Sequence, residues 1–283
     1  MALPTYAGPL ERTWYYAFRI FCGLVLFFLI APILVIIPLS FNVQPYFTYT
    51  REMLTFDPDG YSLRWYQEFW NSTAWMNSIR NSLIIGVFAT LIATVLGTLA
   101  ALGLSRREMP FRGLIMGLLI SPMIVPLIIS AAGMFFFYSS IGLAGTLPGV
   151  IMAHAALGTP FVIITVTATL VGFDHSLTRA AAGLGASPAT AFRKITMPLI
   201  LPGVISGALF AFITSFDEIV IVLFLAGVEQ RTIPREMWSG IREQISPTIL
   251  AVATVLVLFS IALLTTIELL RRRSERMRGM SPH

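Results

Sequence analysis

Long apolar runs alternate with short polar segments along the whole chain. Residues 20–39, 81–104, 113–137, 148–171, 199–225 and 248–270 are each apolar over about the 20 residues that a helix needs to cross a bilayer, so the pattern predicts six transmembrane helices. Proline punctuates several of them. Pro32 and Pro38 are expected to bend or end the first span, Pro122 and Pro126 to kink the third, and Pro160 to bend the fourth. In the second span Ala89, Ala93, Gly97 and Ala101 recur every four residues, a smooth stripe of the kind along which helices approach closely in lipid. The segment 41–80 spans nothing. It mixes Arg51, Glu52, Asp57, Asp59, Arg64, Glu68 and Arg80 with aromatic stretches at Tyr61-Ser62-Leu63-Arg64-Trp65-Tyr66 and 70–75, which suit an amphipathic helix at the membrane interface.

Composition agrees with this pattern. The chain has 283 residues, of which 56% are hydrophobic and 12% charged, and its mean hydropathy is +0.81. Those values exclude a soluble domain of this length and point to an all-α, polytopic membrane protein. The net charge of +5 is no nucleic-acid signal, because the basic residues sit in short segments between apolar runs. Arg12, the cluster Arg106, Arg107 and Arg112, then Arg179, Arg193 and Lys194, and the tail Arg271, Arg272, Arg273, Arg276 and Arg278 all fall on one side of a six-span chain. By the positive-inside rule that side is cytoplasmic and carries both termini. The first run lacks a leader-type cleavage site and reads as a retained span. Cys22 lies within it and has no partner for a disulfide in the chain.

Ionisable groups inside the spans are few: His154, Asp217 and Glu218. Such groups are costly in a membrane and face an aqueous path or a polar partner. His154 either lines a pathway or hydrogen-bonds a neighbouring helix. On a continuous helix turning about 100° per residue, Asp217, Thr214, Glu218 and Ser215 share an arc of roughly 160°, with Ile213, Phe216, Ile219 and Val220 opposite. The polar half is expected to face a substrate pathway and the apolar half to face packed helices. Glu218 is the first choice for the pathway. Asp217 pairs with a basic group of a partner helix, or both acids serve as gate residues at the outer mouth.

The segment 176–203 differs from everything around it. Ser176 is expected to cap a first helical turn, Gly185 to end that helix in a left-handed conformation, and Ser187 with Pro188 to start a second helix that runs to Pro198. Ala180, Ala181, Ala182 and Gly183 leave the first helix almost without side chains, open to close approach by another protein. Arg179-Ala180-Ala181, Gly185 six positions after Arg179, and then Ile195 and Pro198 resemble the EAA motif of ABC importer permeases. Arg179 stands where that family has Glu, and Met197 where it has Leu. The resemblance implies that residues 176–197 form the coupling helix, with Arg179, Ala180, Ala181, Gly185, Ser187, Pro188, Ile195 and Pro198 at the contact with a cytoplasmic ATPase subunit.

The resemblance extends over residues 75–270, flanked by an N-terminal segment 1–74 and a basic tail 271–283. Within the family the spermidine/putrescine-type permeases look most similar, through Tyr61-Ser62-Leu63-Arg64-Trp65-Tyr66, Ser215-Phe216-Asp217-Glu218-Ile219-Val220 and Ile245-Ser246-Pro247-Thr248-Ile249. It implies the type I importer permease fold, like that of methionine importers, in the bacterial inner membrane. The implied partners are a second permease forming a heterodimer, two ATPase subunits that bind ATP and Mg, and a periplasmic binding protein. It also implies a small cationic solute such as a polyamine. Other solutes of the same family, among them amino acids and their derivatives, remain alternatives. An ion-gradient-driven transporter is disfavoured by the scarcity of intramembrane ionisable groups and the lack of an internal repeat. No GxxxxGK[ST] loop, HExxH, GxSxG or cysteine–histidine metal spacing occurs in the sequence, so neither enzyme activity nor a cofactor or metal site is expected in this chain.

The orientation is tested by cysteine labelling in spheroplasts. A cysteine at Asp57 is expected to react with an impermeant maleimide, and one at Ser274 only after permeabilisation. Labelling of Ser274 from outside reverses the orientation.

Overall fold

The computed structural model describes residues 8–106, 108–243 and 246–277. The described chain is helical throughout, and its only β-type pairing is an isolated bridge between Asn42 and Tyr61. It divides into two compact units. One comprises the described residues up to Ser72 together with those from Gly240 onwards; the other is Thr73–Ser239.

In the first unit, α1 spans Pro9–Leu39. It starts well before the expected residue 20, because Pro9 is already shaped for the first helical position and the Glu11 carboxylate accepts the Gly8 amide at 3.1 Å. Pro32 is carried inside the helix, and Pro38 stands one residue before its end. The chain then turns at Asn42. Its side chain donates to the carbonyls of Tyr46 and Thr48 at 3.1 and 2.8 Å and accepts the Gln44 amide at 2.9 Å. A single turn, α2 (Arg51–Leu54), precedes α3, Arg64–Asn71. The aromatic segment is folded inward more than expected. Trp65 and Phe69 are buried, the Trp65 indole donates to the Asn42 carbonyl at 2.7 Å, and the Tyr66 hydroxyl meets Ser40 at 2.6 Å, while Trp70 points outward.

The second unit is built on α4, Thr73–Leu104. After it come α5 (Arg112–Ile124), α6 (Leu127–Ser140), α7 (Leu147–Val171) and α8 (Ser176–Gly183). A second helical stretch follows as α9 (Pro188–Ala191), a π-turn over Phe192–Thr196, and α10 (Met197–Asp217). The six-residue α11 (Val220–Leu225) and α12 (Ile233–Glu243) lead on to α13, Thr248–Met277, which belongs with the first unit and packs there on α1 and α3.

α4, α7 and α10 form the core of the second unit, and the small residues read from the sequence are what lets them meet. Ala89, Ala93, Gly97 and Ala101 are all buried. A methyl group added at Gly97 would lie 2.6 Å from Val162 Cβ, and one at Gly158 would lie 3.0 Å from Ala211. Gly203 and Gly207 on α10 press equally closely on Thr169 and Thr165 of α7. With lipid as apolar as the side chains themselves, this contact area holds the helices together in place of a hydrophobic drive.

Three expectations about the spans need correction. The third span is two helices, α5 and α6, bent by 100° at Val125–Pro126, and not one kinked helix. Val125 is extended because the proline ring that follows excludes the helical conformation, and Pro126 supplies no amide to continue the ladder. The helix that starts at Ser187–Pro188 does not end at Pro198: Pro188–Asp217 is one helix of 30 residues. Pro198 has no amide hydrogen, and the π-turn in the preceding residues widens the helix where the proline would otherwise break it. The fifth span, expected to be continuous to Leu225, is interrupted at Glu218, which is extended. Among the described residues four helices are long and apolar enough to cross a membrane, and the bent pair makes a fifth. In α13 the described apolar stretch covers Thr248–Ala262, so the sixth span rests on the sequence beyond it.

Gly97→Leu forces a side chain into the backbone of α7. The expected result is a loss on the order of 1–3 kcal/mol, read as a lower melting temperature in detergent and reduced membrane abundance. Ala100→Leu, on the same helix but only half-buried, serves as the control and is expected to change neither.

Candidate coupling segment and translocation site

The segment after α7 folds as two short helices around a glycine joint. Its first cap is not Ser176, as expected, but Asp174, whose carboxylate accepts the Ser176 amide at 2.8 Å and the Ser176 hydroxyl at 2.6 Å. These bonds hold the Asp174 carboxyl below the usual carboxylate range. α8 ends in a Schellman motif. Gly185 has φ +78°, its amide donates to the Ala182 carbonyl at 3.0 Å, and the Ala186 amide donates to the Ala181 carbonyl at 3.0 Å. Only glycine adopts that φ without strain. Ser187 then caps the next helix by accepting the Thr190 amide at 3.3 Å, with Pro188 in the first turn.

Most of this segment stands free of the rest of the chain. Arg179, Ala180, Ala182, Gly183 and Gly185 are exposed, and Leu184 at the joint is 89% exposed. Only Ala181, Ala191 and Thr196 are buried. Ser187, Pro188, Pro198, Arg193 and Lys194 are exposed, and Ile195 is half-buried. A methyl group placed on Gly183 or Gly185 meets nothing within 4 Å. The surface is small, partly apolar and edged with positive charge.

At the far end of α10 the chain breaks between Asp217 and Val220, and the break divides the four polar residues that a continuous helix would have aligned. Ser215 is buried, with its hydroxyl 2.8 Å from His154 Nδ1 on α7. Glu218, 6% exposed, does not continue the helical face. Its Oε1 accepts the Val220 amide at 2.7 Å and its Oε2 the Ile221 amide at 2.8 Å, so it caps α11. His154 Nε2 lies 3.8 Å from Glu218 Oε2. The histidine therefore bonds a neighbouring helix and sits beside the break. Thr214 is half-buried and Asp217 exposed. Among the described residues the Asp217 carboxylate has no hydrogen bond or ion pair. The apolar half does not face packed helices throughout, since Ile213 is 58% exposed while Phe212 covers Gly86 of α4.

The sequence reading missed Arg235. Its segment looked merely mixed in sign, but its Nη1 donates to the carbonyls of Val222, Ala226 and Gly227 at the end of α11. The signal for it in the sequence is an arginine just after Pro234, ten residues beyond the end of the apolar run Val220–Leu225.

The model of the binding-protein-dependent transport system inner membrane component family matches residues 93–276. The chain belongs to that family. The match takes in the glycine joint, the 30-residue helix and the break at Asp217–Glu218. Among its relatives, the spermidine/putrescine transport system permease protein PotC of Haemophilus influenzae is 30% identical over 254 residues, 90% of this chain and 96% of that protein. The putrescine transport system permease protein PotI of Escherichia coli is 32% identical over 237 residues, 81% of each chain. The trehalose transport system permease protein SugB of Mycobacterium tuberculosis is 31% identical over 164 residues, 58% of this chain and 60% of that one. A bacterial ABC transporter that imports the acidic polysaccharide alginate has the same fold, with a TM-score of 0.77 and 16% identity over 94% of this chain and 99% of that one. The chain is thus a multi-pass inner-membrane permease subunit with an ABC importer permease fold.

Gly185→Val sets a β-branched residue at positive φ, at a cost on the order of 1 kcal/mol or more. The variant is expected to insert normally and to lose both ATP-driven uptake and co-purification with the ATPase subunits. Full transport by Gly185→Val removes the coupling role from this segment.

Proposed function

We propose that the chain is one of two permease subunits of an ATP-driven importer and carries half of the pathway for a small cationic organic solute of the polyamine class, putrescine or spermidine. A second, different permease completes the pathway, a periplasmic binding protein delivers the solute, and two cytoplasmic ATPase subunits hold ATP and Mg. Both termini and the α8–α9 joint face those ATPases, on the side that carries the unbalanced positive charge.

One observation carries the reading. A single helix of 30 residues, about 45 Å long, has the exposed glycine joint at one end and the acidic break at the other. A displacement imposed on the joint by a closing ATPase dimer reaches Asp217 along a continuous rod. Arg179, Ala180, Ala181, Gly185, Ser187, Pro188, Ile195 and Pro198 make up the docking segment. The similarity to polyamine permeases over 81–90% of the chain supports a cationic solute.

Geometry supports Asp217 rather than Glu218 as the group that meets the cation. Both Glu218 oxygens accept backbone amides, whereas the Asp217 carboxylate is exposed at the carboxyl end of α10, where the helix dipole adds negative potential. Thr214 stands one turn below it. Ser215 and Glu218 line the site from behind as gate residues. A second reading, an uncharged solute, has the trehalose permease match behind it, over a smaller share of the chain.

Uptake of radiolabelled putrescine and spermidine by the assembled importer tests the proposal. Asp217→Asn is expected to raise the apparent KM about tenfold, the worth of one charge-assisted contact. Glu218→Gln is expected to lower Vmax with KM little changed. An unchanged uptake curve for Asp217→Asn removes this residue from recognition of the cation, and no uptake of either amine by the wild type removes the polyamine class.

A further inference from the structure

α11 is a helix of six residues whose Ile221, Val222 and Leu225 are 0–1% exposed. A helix this short satisfies few of its own backbone groups, so most of its amides and carbonyls need partners from outside. Both ends have them, and the charges are of matching sign. At the amino end the Glu218 carboxylate accepts the Val220 and Ile221 amides at 2.7 and 2.8 Å. At the carboxyl end Arg235 Nη1 donates to Val222 O at 3.2 Å, Ala226 O at 2.8 Å and Gly227 O at 3.1 Å, and the Gly145 amide donates to Leu225 O at 2.7 Å. A negative group at the amino end and a positive one at the carboxyl end complement the peptide dipoles.

The residues that supply this clamp are themselves fixed. Asn81 Nδ2 on α4 donates to the carbonyls of Glu229 and Arg231 at 2.7 and 2.9 Å, and the Ile233 amide donates to Ser82 Oγ at 2.9 Å. The return segment 226–233 is therefore pinned to α4, and Arg235 follows it on the first turn of α12. Arg235 Nη1 faces backbone carbonyls alone, and Glu218 faces backbone amides with His154 beside it. Neither contact leaves those atoms free for a solute.

We infer that Arg235 is a positioning residue for transport: with Glu218 it clamps α11 into one rigid piece, so that motion arriving along α10 at the 217–219 break turns α11 as a unit and does not unravel it. This rests on the permease reading above, but not on the identity of the solute. The clamp sets the rate of transport and leaves solute affinity alone.

The test uses the assembled importer in proteoliposomes with Arg235→Met, which keeps the length of the stem, and Arg235→Lys, whose ammonium offers three donors to the same carbonyls. At equal membrane abundance Arg235→Met is expected to lower Vmax for putrescine about fivefold with KM within about twofold, and Arg235→Lys to regain at least half of the loss. Hydrogen exchange on the same complexes, without solute, is expected to show the 220–225 amides exchanging about tenfold faster in Arg235→Met, with α4 and α7 unchanged. Wild-type Vmax in Arg235→Met, a raised KM at wild-type Vmax, or a lysine variant no better than the methionine variant overturns the inference. If the wild type imports no polyamine, the reading of the solute fails by itself. The exchange comparison then still decides the clamp, and unchanged α11 amides overturn it.

Discussion

The close approach of α4, α7 and α10 is the constraint on which the second unit depends. Lipid gives apolar side chains no reason to leave it, so these helices hold together only where their backbones come near enough for dense van der Waals contact. Gly97, Gly158, Gly203 and Gly207 make that approach possible, each at a point where a methyl group would overlap the neighbouring helix. The same packing places His154 of α7 against Ser215 of α10, two residues before α10 ends.

A second constraint follows from the first. Inside a membrane every backbone amide and carbonyl must find a partner within the protein, so an interrupted helix needs replacements for the bonds it loses. The chain meets this in two ways. Around Val125–Pro126 the interruption falls at a proline, which has no amide to lose, while its carbonyl accepts the Ile129 and Ser130 amides. Around Glu218 the replacements are charged side chains, a carboxylate for the amides of α11 and a guanidinium for its carbonyls. Charged groups satisfy several backbone atoms at once, which is why a six-residue helix persists in a buried position.

The proposed mechanism joins these features mechanically. The glycine joint presents a surface nearly free of side chains, and the helix that begins at Pro188 carries through a π-turn to the acidic break. The π-turn keeps that helix continuous across Pro198, so the joint and the break stay connected by hydrogen-bonded backbone. Arg179 lies exposed on α8 and adds a positive charge to the proposed docking face.

Much of this was legible in the sequence because it is local. Apolar run lengths gave the long helices, and the spacing of Ala89, Ala93, Gly97 and Ala101 gave the buried face of α4. The left-handed turn at Gly185 and the cap at Ser187 depend on residues within one helical turn. What the sequence could not determine was where several of the other helices start and stop. Ser176 lost its cap to Asp174, two residues earlier, since the longer reach of a carboxylate serves both the amide and the hydroxyl. Pro198 did not end its helix, because a π-turn absorbed it. Above all, the helical wheel that aligned Thr214, Ser215, Asp217 and Glu218 assumed a continuous helix. At the break Glu218 takes the Val220 and Ile221 amides, while His154, 64 residues away in the chain, lies 3.8 Å from its carboxylate and Arg235, 17 residues on, holds the carbonyls of Val222, Ala226 and Gly227, and no local propensity encodes the last two placements. That Glu218 is buried in a cap while the adjacent Asp217 stays exposed was decided by tertiary packing around α11, because a break in a membrane helix survives only where side chains of the fold take over its backbone hydrogen bonds.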